Sequence, residues 1–116
     1  MSCVLSENVV CKHVRATKTY YVDLSFMNAG ITAVSATADT DDASLSVDGA
    51  EVLDEDITVD PSQGCAGSQL LTGRAILVNL SGGVDSDDEV IVTVNWVQSD
   101  GVEDSRDCRV LVEGTA

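Results

Sequence analysis

The acidic turns of this chain hold the residue types and spacings that come closest to a site for chemistry. Asp85, Asp87 and Asp88 lie together in one predicted turn. Calcium binds about six to eight oxygen ligands, often carboxylates that converge from neighbouring loops. The segment lacks the spaced pattern of an EF-hand, so a solvated turn is the simpler interpretation, and these three aspartates are the calcium candidates. Similar turns are predicted at Asp39, Asp41 and Asp42 and at Asp100, Glu103 and Asp104.

Potential zinc ligands cluster near the N-terminus, where Cys3, Cys11 and His13 lie close together in the sequence. Structural zinc needs a closed tetrahedron of ligands, and only Cys65 or Cys108 could complete it. The spacing is not that of known zinc knuckles. Free thiols are the simpler interpretation in a reducing compartment, with Cys108 packed as a small hydrophobic residue. We therefore expect no bound cofactor.

A nucleophilic catalytic site would have to use His13, which is the single histidine. No glycine-flanked nucleophile accompanies it. Gly82 and Gly83 precede an acidic turn, without the lysine and the following helix that a phosphate-binding loop requires. The sequence therefore predicts a protein that is not an enzyme.

The charge of the chain restricts its partners. There are 20 acidic and 6 basic residues, and the formal net charge is -14. Such a surface repels phosphate, so we expect no nucleic-acid partner and no anionic membrane surface. No apolar run is long enough for a transmembrane helix, and residues 1–10 do not resemble a signal peptide. Synthesis and folding in a cytoplasm are expected.

The few bases are concentrated at the N-terminus. Residues 1–22 hold three bases and one acid, whereas residues 23–116 hold three arginines and 19 acids. We predict an extended arm over residues 1–16 that contacts a neighbouring copy and offsets part of the repulsion between acidic bodies. A frayed terminus is the alternative. The interface candidates are Lys12, Arg15, Lys18, Tyr20 and Tyr21.

Residues 17–116 have the pattern of an all-β domain. Short apolar segments recur at roughly 8–12-residue spacing with turn residues between them, which is typical of a sandwich or barrel. The clearest strands lie between Arg74 and Val112. Their alternation predicts one buried face, made of Ile76, Val78, Leu80, Val90, Val92, Val94, Trp96, Cys108, Val110 and Val112.

Two earlier segments are less regular. The stretch from Ile31 to Ala38 alternates so weakly that neither of its sides is clearly the core face. In the next segment, Leu45 and Val47 share one face, and the strand is predicted to end at Gly49.

The C-terminal part resembles a family of phage proteins. Leu80-Ser81-Gly82-Gly83, the strand from Val90 to Val97, the turn Ser99-Asp100-Gly101 and the segment from Asp104 to Val112 are similar to small immunoglobulin-like fibre–tail adaptor proteins of bacteriophages and prophages. The resemblance implies an immunoglobulin-like β-sandwich of seven to eight strands, preceded by the N-terminal arm.

The same resemblance implies a structural role without catalysis. The chain would be a virion protein made in the host cytoplasm. It would form a symmetric oligomer at the neck or tail and contact the portal or connector, the tail or the fibres. Two alternatives stay open: a capsid decoration protein, and a calcium-stabilised carbohydrate-binding module of a fibre.

Overall fold

The computed structural model describes residues 4–5, 9–13, 17–24, 26–58, 69–85 and 89–114. All the regular secondary structure in these ranges is β-strand, which confirms the all-β prediction. In chain order they are β1 (Val4–Leu5), β2 (Val9–His13), β3 (Lys18–Asp23), β4 (Ala33–Thr40), β5 (Leu45–Val52), β6 (Ile57–Thr58), β7 (Gln69–Leu70), β8 (Ala75–Gly82), β9 (Val90–Gln98) and β10 (Glu103–Glu113).

The strands form two four-stranded sheets and a small hairpin. The first sheet has the order β1-β3-β8-β5, the second has the order β2-β10-β9-β4, and β6 pairs with β7. Strand β1 is parallel to β3, and β2 is parallel to β10, whereas the other pairs are antiparallel. Both strands described within residues 1–16 therefore lie at sheet edges. The prediction that this segment contacts a neighbouring copy remains a prediction.

One apolar core lies between the two sheets. Period-2 alternation sends every second side chain of β8, β9 and β10 to the same face. All ten residues predicted to be inside are buried, among them Trp96, which is 3% exposed. Tyr20, Val22 and Leu24 join the core from β3 and the residue after it, and Met27, Ala33 and Leu45 also belong to it. Valine and isoleucine dominate these positions because their stiff branched side chains pack well on a pleated surface.

A second apolar cluster covers part of the first sheet from outside. It contains Leu53, Leu70 and Ala75, and Tyr21, Ile57 and Leu77 pack against it. Ala75 and Ile76 are both buried, since the hairpin of β6 and β7 lies on one face of β8 and the main core on the other. Sequence alternation did not predict this covering layer.

A β-bulge explains the weak alternation between Ile31 and Ala38. Strand β4 pairs with β9 through Ala33 opposite Gln98 and then Ser35 opposite Val97, so Val34 is the extra residue. A bulge inserts one residue and changes which side chains face the core. Ile31 and Ala33 face the core before it, Ala36 and Ala38 face the core after it, and Val34 is exposed.

A second bulge corrects the predicted end of the next strand. Strand β5 does not end at Gly49 but continues to Val52. Its register with β8 shifts between Val47 and Gly49. Leu45 and Val47 face the core before the shift, and Ala50 and Val52 face it afterwards. The glycine therefore marks a bulge inside a strand rather than a turn.

Candidate interaction surfaces

The interface candidates predicted from sequence occupy different environments. Lys12 is 1% exposed and Tyr20 is 0% exposed, so both side chains lie inside this chain rather than on its surface. Lys18 and Tyr21 are half-buried. Arg15 lies outside the described residues. The Lys18 ammonium is 5.3 Å from the centre of the Tyr20 ring, so these two candidates contact each other.

Lys12 links the two sheets at one end of β8. Its Nζ donates a hydrogen bond of 2.6 Å to the main-chain oxygen of Gly82. Burial lowers the pKa of Lys12, and the charge of Asp48 opposes that shift. Strand β2 is an edge strand of the second sheet, and Gly82 ends an interior strand of the first sheet. This hydrogen bond therefore joins the two sheets.

The Gly82-Gly83 pair is required by this junction. Gly82 has a φ of 71° and Gly83 a φ of 105°, and residues other than glycine rarely adopt either backbone conformation. A Cβ on Gly83 would lie 2.8 Å from Cγ1 of Val112. The Gly83 amide also donates to the main-chain oxygen of Ser44 at 2.9 Å. The motif that carries the phage resemblance therefore has a packing role.

Arg74 holds together the other end of β8. Its guanidinium donates to the main-chain oxygens of Met27 at 2.7 Å, Ile31 at 2.8 Å and Asn28 at 3.2 Å. A planar fork of donors can serve several carbonyl groups at once. The segment from Phe26 to Thr32 is thereby tied to the start of β8. Sequence reasoning missed this role because no local pattern relates Arg74 to that loop.

An aromatic contact lies at this same end. The rings of Phe26 and Trp96 meet edge to face, with centroids 6.2 Å apart, and the Arg106 guanidinium lies 5.0 Å from the centre of the Phe26 ring. Phe26 is nevertheless 54% exposed. The ring is therefore a surface group held between an arginine and the core tryptophan.

An open groove of about 460 Å³ crosses the second sheet. Its polar lining includes Ser35 and Thr37 from β4, Asn95 from β9, and Glu103 and Ser105 from β10. Trp96 also lines the groove, and its Nε1 is buried with no hydrogen-bond partner in the described part of the chain. The described lining residues include no histidine and no cysteine. The groove therefore presents hydroxyl, amide and carboxylate groups to solvent.

The calcium candidates are only partly described. Asp85 is exposed, whereas Asp87 and Asp88 lie outside the described residues. Within residues 4–5, 9–13, 17–24, 26–58, 69–85 and 89–114, no three acidic, histidine or cysteine side chains are grouped so that they could hold a metal ion. Asp39 belongs to strand β4, and Glu103 and Asp104 belong to β10, so these three do not lie in turns as predicted.

Of the potential soft-metal ligands, Cys108 is described in full. Its thiol is free and completely buried. Burial raises the pKa of Cys108 to about 11, so the thiol stays protonated at neutral pH and is a poor nucleophile. Cys3 and Cys65 lie outside the described residues, as do the side chains of Cys11 and His13.

Acidic residues dominate the side of the sandwich formed by β4 and β5. These strands are the last ones in the two sheet orders, and each has a single strand partner among the described residues. From Ala33 to Val52 there is no lysine or arginine. The acids of this stretch are Asp39, Asp41, Asp42, Asp48 and Glu51. Hydrogen bonds from serine side chains lower the pKa of Asp42 and of Asp48, so both stay ionised at neutral pH.

The opposite side of the sandwich is formed by β1 and β2. Residues 8–22 contain Lys12, Arg15 and Lys18 and no acid. Lys12 is inside, Lys18 is half-buried on β3, and Arg15 lies outside the described residues. The stretch that contains β2 is therefore less acidic in sequence than the stretch that contains β4 and β5.

The structure belongs to the class of all-β proteins with two packed sheets and an apolar core between them. The described residues include no helix long and apolar enough to cross a membrane. Comparison of the chain with protein-family models, with curated proteins and with solved structures gives no match.

Proposed function

We propose that this chain is a non-enzymatic structural protein of a phage virion, an immunoglobulin-like adaptor at the neck or tail. It would form a symmetric oligomer that links the tail or connector to fibres or neighbouring rings. The observation that carries the proposal is the order of the strands. The orders β3-β8-β5 and β10-β9-β4 support an immunoglobulin-like fold, because they are the orders expected if these strands correspond to B-E-D and G-F-C of an immunoglobulin-type sandwich.

Three features differ from antibody-type domains. The tryptophan of the core lies on β9 rather than on β4, the hairpin of β6 and β7 is inserted before β8, and β1 runs parallel to β3. Trp96 fills the centre without a neighbouring disulfide, since the buried Cys108 is a free thiol. Such a sandwich suits a chain that folds in a reducing cytoplasm before assembly.

The surface supports an assembly role. The outer groove offers hydroxyl, amide and carboxylate groups, and the sheet edges offer main-chain donors and acceptors for strand addition. A net charge of -14 keeps free copies apart in solution. Attachment to another virion part then depends on a complementary surface rather than on nonspecific association.

Imaging of purified particles tests this function. We expect mass spectrometry to detect the chain in particles of the phage or induced prophage that encodes it, and electron microscopy to place a few copies at one vertex. Particles made without the gene should keep filled heads and lose tails or fibres. Copies spread over the whole shell would instead support capsid decoration, and absence of the chain from particles would reject a virion role.

A further inference from the structure

We propose that the first half of β10, residues 103–108, binds an extended segment of another virion protein as an added strand, and that this segment carries lysine or arginine. The inference rests on the proposed function for the source of the segment, and it names the edge of the sandwich that is used for attachment. In strand addition, main-chain hydrogen bonds provide affinity and side-chain contacts provide specificity.

The first half of β10 has a strand partner on one side only. Strand β10 pairs with β9 from Glu103 to Val110, whereas β2 pairs with it only from Arg109 to Glu113. In the described part of the chain, no strand pairs with residues 103–108 on the side where β2 lies. Strand β1, which precedes β2, pairs with β3 of the first sheet. Residues 103–108 therefore form an open edge beside the start of β2.

The hydrogen-bond pattern shows which main-chain groups face this open edge. The amide of Gln98 donates to the main-chain oxygen of Val102, so these two residues are a hydrogen-bonded pair at the end of the β9–β10 hairpin. Such pairs alternate along an antiparallel ladder, so the even-numbered residues of β10 bond to β9. The amides and carbonyl groups of Glu103, Ser105 and Asp107 therefore point to the open side.

An acidic side chain satisfies one of these outward amides. The amide of Ser105 donates a hydrogen bond of 2.8 Å to the carboxylate of Asp104. The carboxylate oxygen thus takes the place of the carbonyl oxygen that an added strand would supply. An incoming carbonyl group can replace it, because both are acceptors for the same amide. Asp104 is then free to pair with a basic side chain of the added segment.

The side chains around the open edge favour a basic segment. Glu103, Asp104 and Asp107 are all exposed. The one base of this stretch, Arg106, is half-buried, and its guanidinium lies 5.0 Å from the centre of the Phe26 ring. An edge that is bordered by exposed carboxylates attracts lysine or arginine and repels an acidic segment.

A second copy of the chain is a poorer occupant of this edge. Two copies pair antiparallel only with odd-numbered residues opposite odd-numbered ones, because those residues carry the outward main-chain groups. A register centred on Glu103, Asp104, Arg106 or Asp107 places that residue opposite its own copy. The register centred on Ser105 places Glu103 opposite Asp107. Each of these registers sets like charges directly opposite each other, which destabilises a strand pair.

The other free edges offer less to a basic segment. Strand β1 has two residues, and β5 is bulged between Val47 and Gly49. Short strands and bulges block edge pairing. Strand β4 is regular from Ser35 to Thr40 but carries a single acid there, Asp39. The edge of β4 therefore serves as the comparison edge in the test.

Peptide binding to the purified full chain tests this inference. The probe is a short acetylated peptide in which lysine alternates with valine, and its counterpart has glutamate in place of lysine. With the lysine peptide, we expect the amide signals of Glu103, Ser105 and Asp107 to shift in NMR spectra and to exchange more slowly with solvent. The amides of β4 should not change, and the glutamate peptide should have no effect.

Two substitutions at Ser105 separate the main-chain contact from the side chain. Ser105→Pro removes an outward amide without removing a bond to β9, and edge strands tolerate proline at such positions. It should weaken binding of the lysine peptide by about fivefold, which corresponds to one net hydrogen bond. Ser105→Ala keeps the amide and should bind as the wild type does.

Two double variants test the charges, and they stay informative if Ser105→Pro does not fold. Glu103→Gln with Asp104→Asn should weaken binding of the lysine peptide by about fivefold, as expected for the loss of two exposed ion pairs. Asp39→Asn with Asp41→Asn is the matched control, since it removes the same charge from the β4 side. This control should bind the lysine peptide as the wild type does.

Several results would overturn the inference. These are no binding of the lysine peptide, equal binding of the two peptides, shifts at β4 in place of β10, unchanged affinity of a folded Ser105→Pro variant, and equal losses in the two double variants. A chain with such a result that is present in particles keeps its virion role without this edge. A chain that binds as expected but is absent from particles keeps the edge and loses the virion role.

Discussion

At each end of strand β8 a basic side chain donates hydrogen bonds to main-chain oxygens, but the two ends differ in what these bonds hold together. At the start, Arg74 is half-buried and serves three carbonyl groups of one loop. At the end, Lys12 is buried and donates to the main-chain oxygen of Gly82 across the sandwich. The bonds of Arg74 order a loop, and the bond of Lys12 joins edge strand β2 to the other sheet.

This difference shows how a very acidic chain uses its few bases. Only 6 of its residues are lysine or arginine, against 20 acids. Arg109 has an exposed ion pair with Glu89, at 3.5 Å, which contributes little in water. Arg74 and Lys12 instead donate to main-chain carbonyl groups, three of the four bonds being part-buried, and hydrogen bonds from charged donors are stronger than neutral ones.

The largest expected effect concerns the aromatic contact at the Arg74 end. Trp96→Ala should lower the free energy of unfolding by about 3–5 kcal/mol, because it empties the centre of the core. Phe26→Ala is the control, since it removes only the exposed ring of the pair and should cost about 0.5–1.5 kcal/mol. Urea unfolding measures both. Equal stability of Trp96→Ala and wild type would contradict the core assignment.

The next largest loss of stability is expected at Arg74, whose guanidinium group donates to three carbonyl groups. Arg74→Lys keeps the charge but cannot serve three carbonyl groups, so we expect a loss of about 2 kcal/mol. The amides of Met27 and Ile31 should also exchange faster with solvent. The same substitution at Arg109 is the control and should cost about 0–1 kcal/mol. Similar losses at the two positions would mean that the fork adds nothing.

Lys12→Met should change stability less than Arg74→Lys at neutral pH. The lost charged hydrogen bond is opposed by relief from burying an ammonium group. The sign of the pH dependence is specific: the folded pKa is lowered from 10.5 by burial, so the folded chain loses this proton first. The unfolded chain then binds more protons, and the contribution of Lys12 to stability rises with pH in that window.

This effect appears as a difference between two titrations. The stability of wild type minus that of Lys12→Met should increase as pH rises towards 10.5. Lys18→Met, at a half-buried lysine of β3, is the matched control for replacing a lysine by methionine. A difference that falls with rising pH would contradict a desolvated Lys12.

The smallest effect concerns Asp56, near the Arg74 end. Its carboxylate accepts hydrogen bonds of 2.8 Å from both the amide and the hydroxyl of Thr72. These bonds lower its pKa below 3.8, so its stabilisation is present above that pH and is lost as pH falls through the folded pKa. Asp56→Asn should therefore be slightly less stable than Asp54→Asn at pH 7, with the difference vanishing in strong acid.

The last third of the chain shows what alternation alone can predict. Strands β8, β9 and β10 are regular, and all ten residues assigned to their inner face are buried. The period of two specifies a face wherever a strand has no inserted residue. Cys108 followed the same rule, as a small hydrophobic residue rather than a reactive thiol.

Strands β4 and β5 show where that reasoning fails. Each contains a bulge, and a bulge is defined by the partner strand that it pairs with, so the local sequence shows only an interrupted pattern. The interruption at Val34 obscured the core face, and the one near Gly49 was interpreted as a strand end.

The amino-acid sequence by itself determined the all-β class, the inner faces of the regular strands and the separation of a basic N-terminus from an acidic body. Only the tertiary structure decided which strands are edges, that Lys12 lies inside and that Arg74 closes a loop. Lys12 and Gly82 are 70 residues apart in the chain, and their contact depends on how the two sheets pack. Composition and local period contain no information about such a distance, because long-range pairing alone brings these groups together.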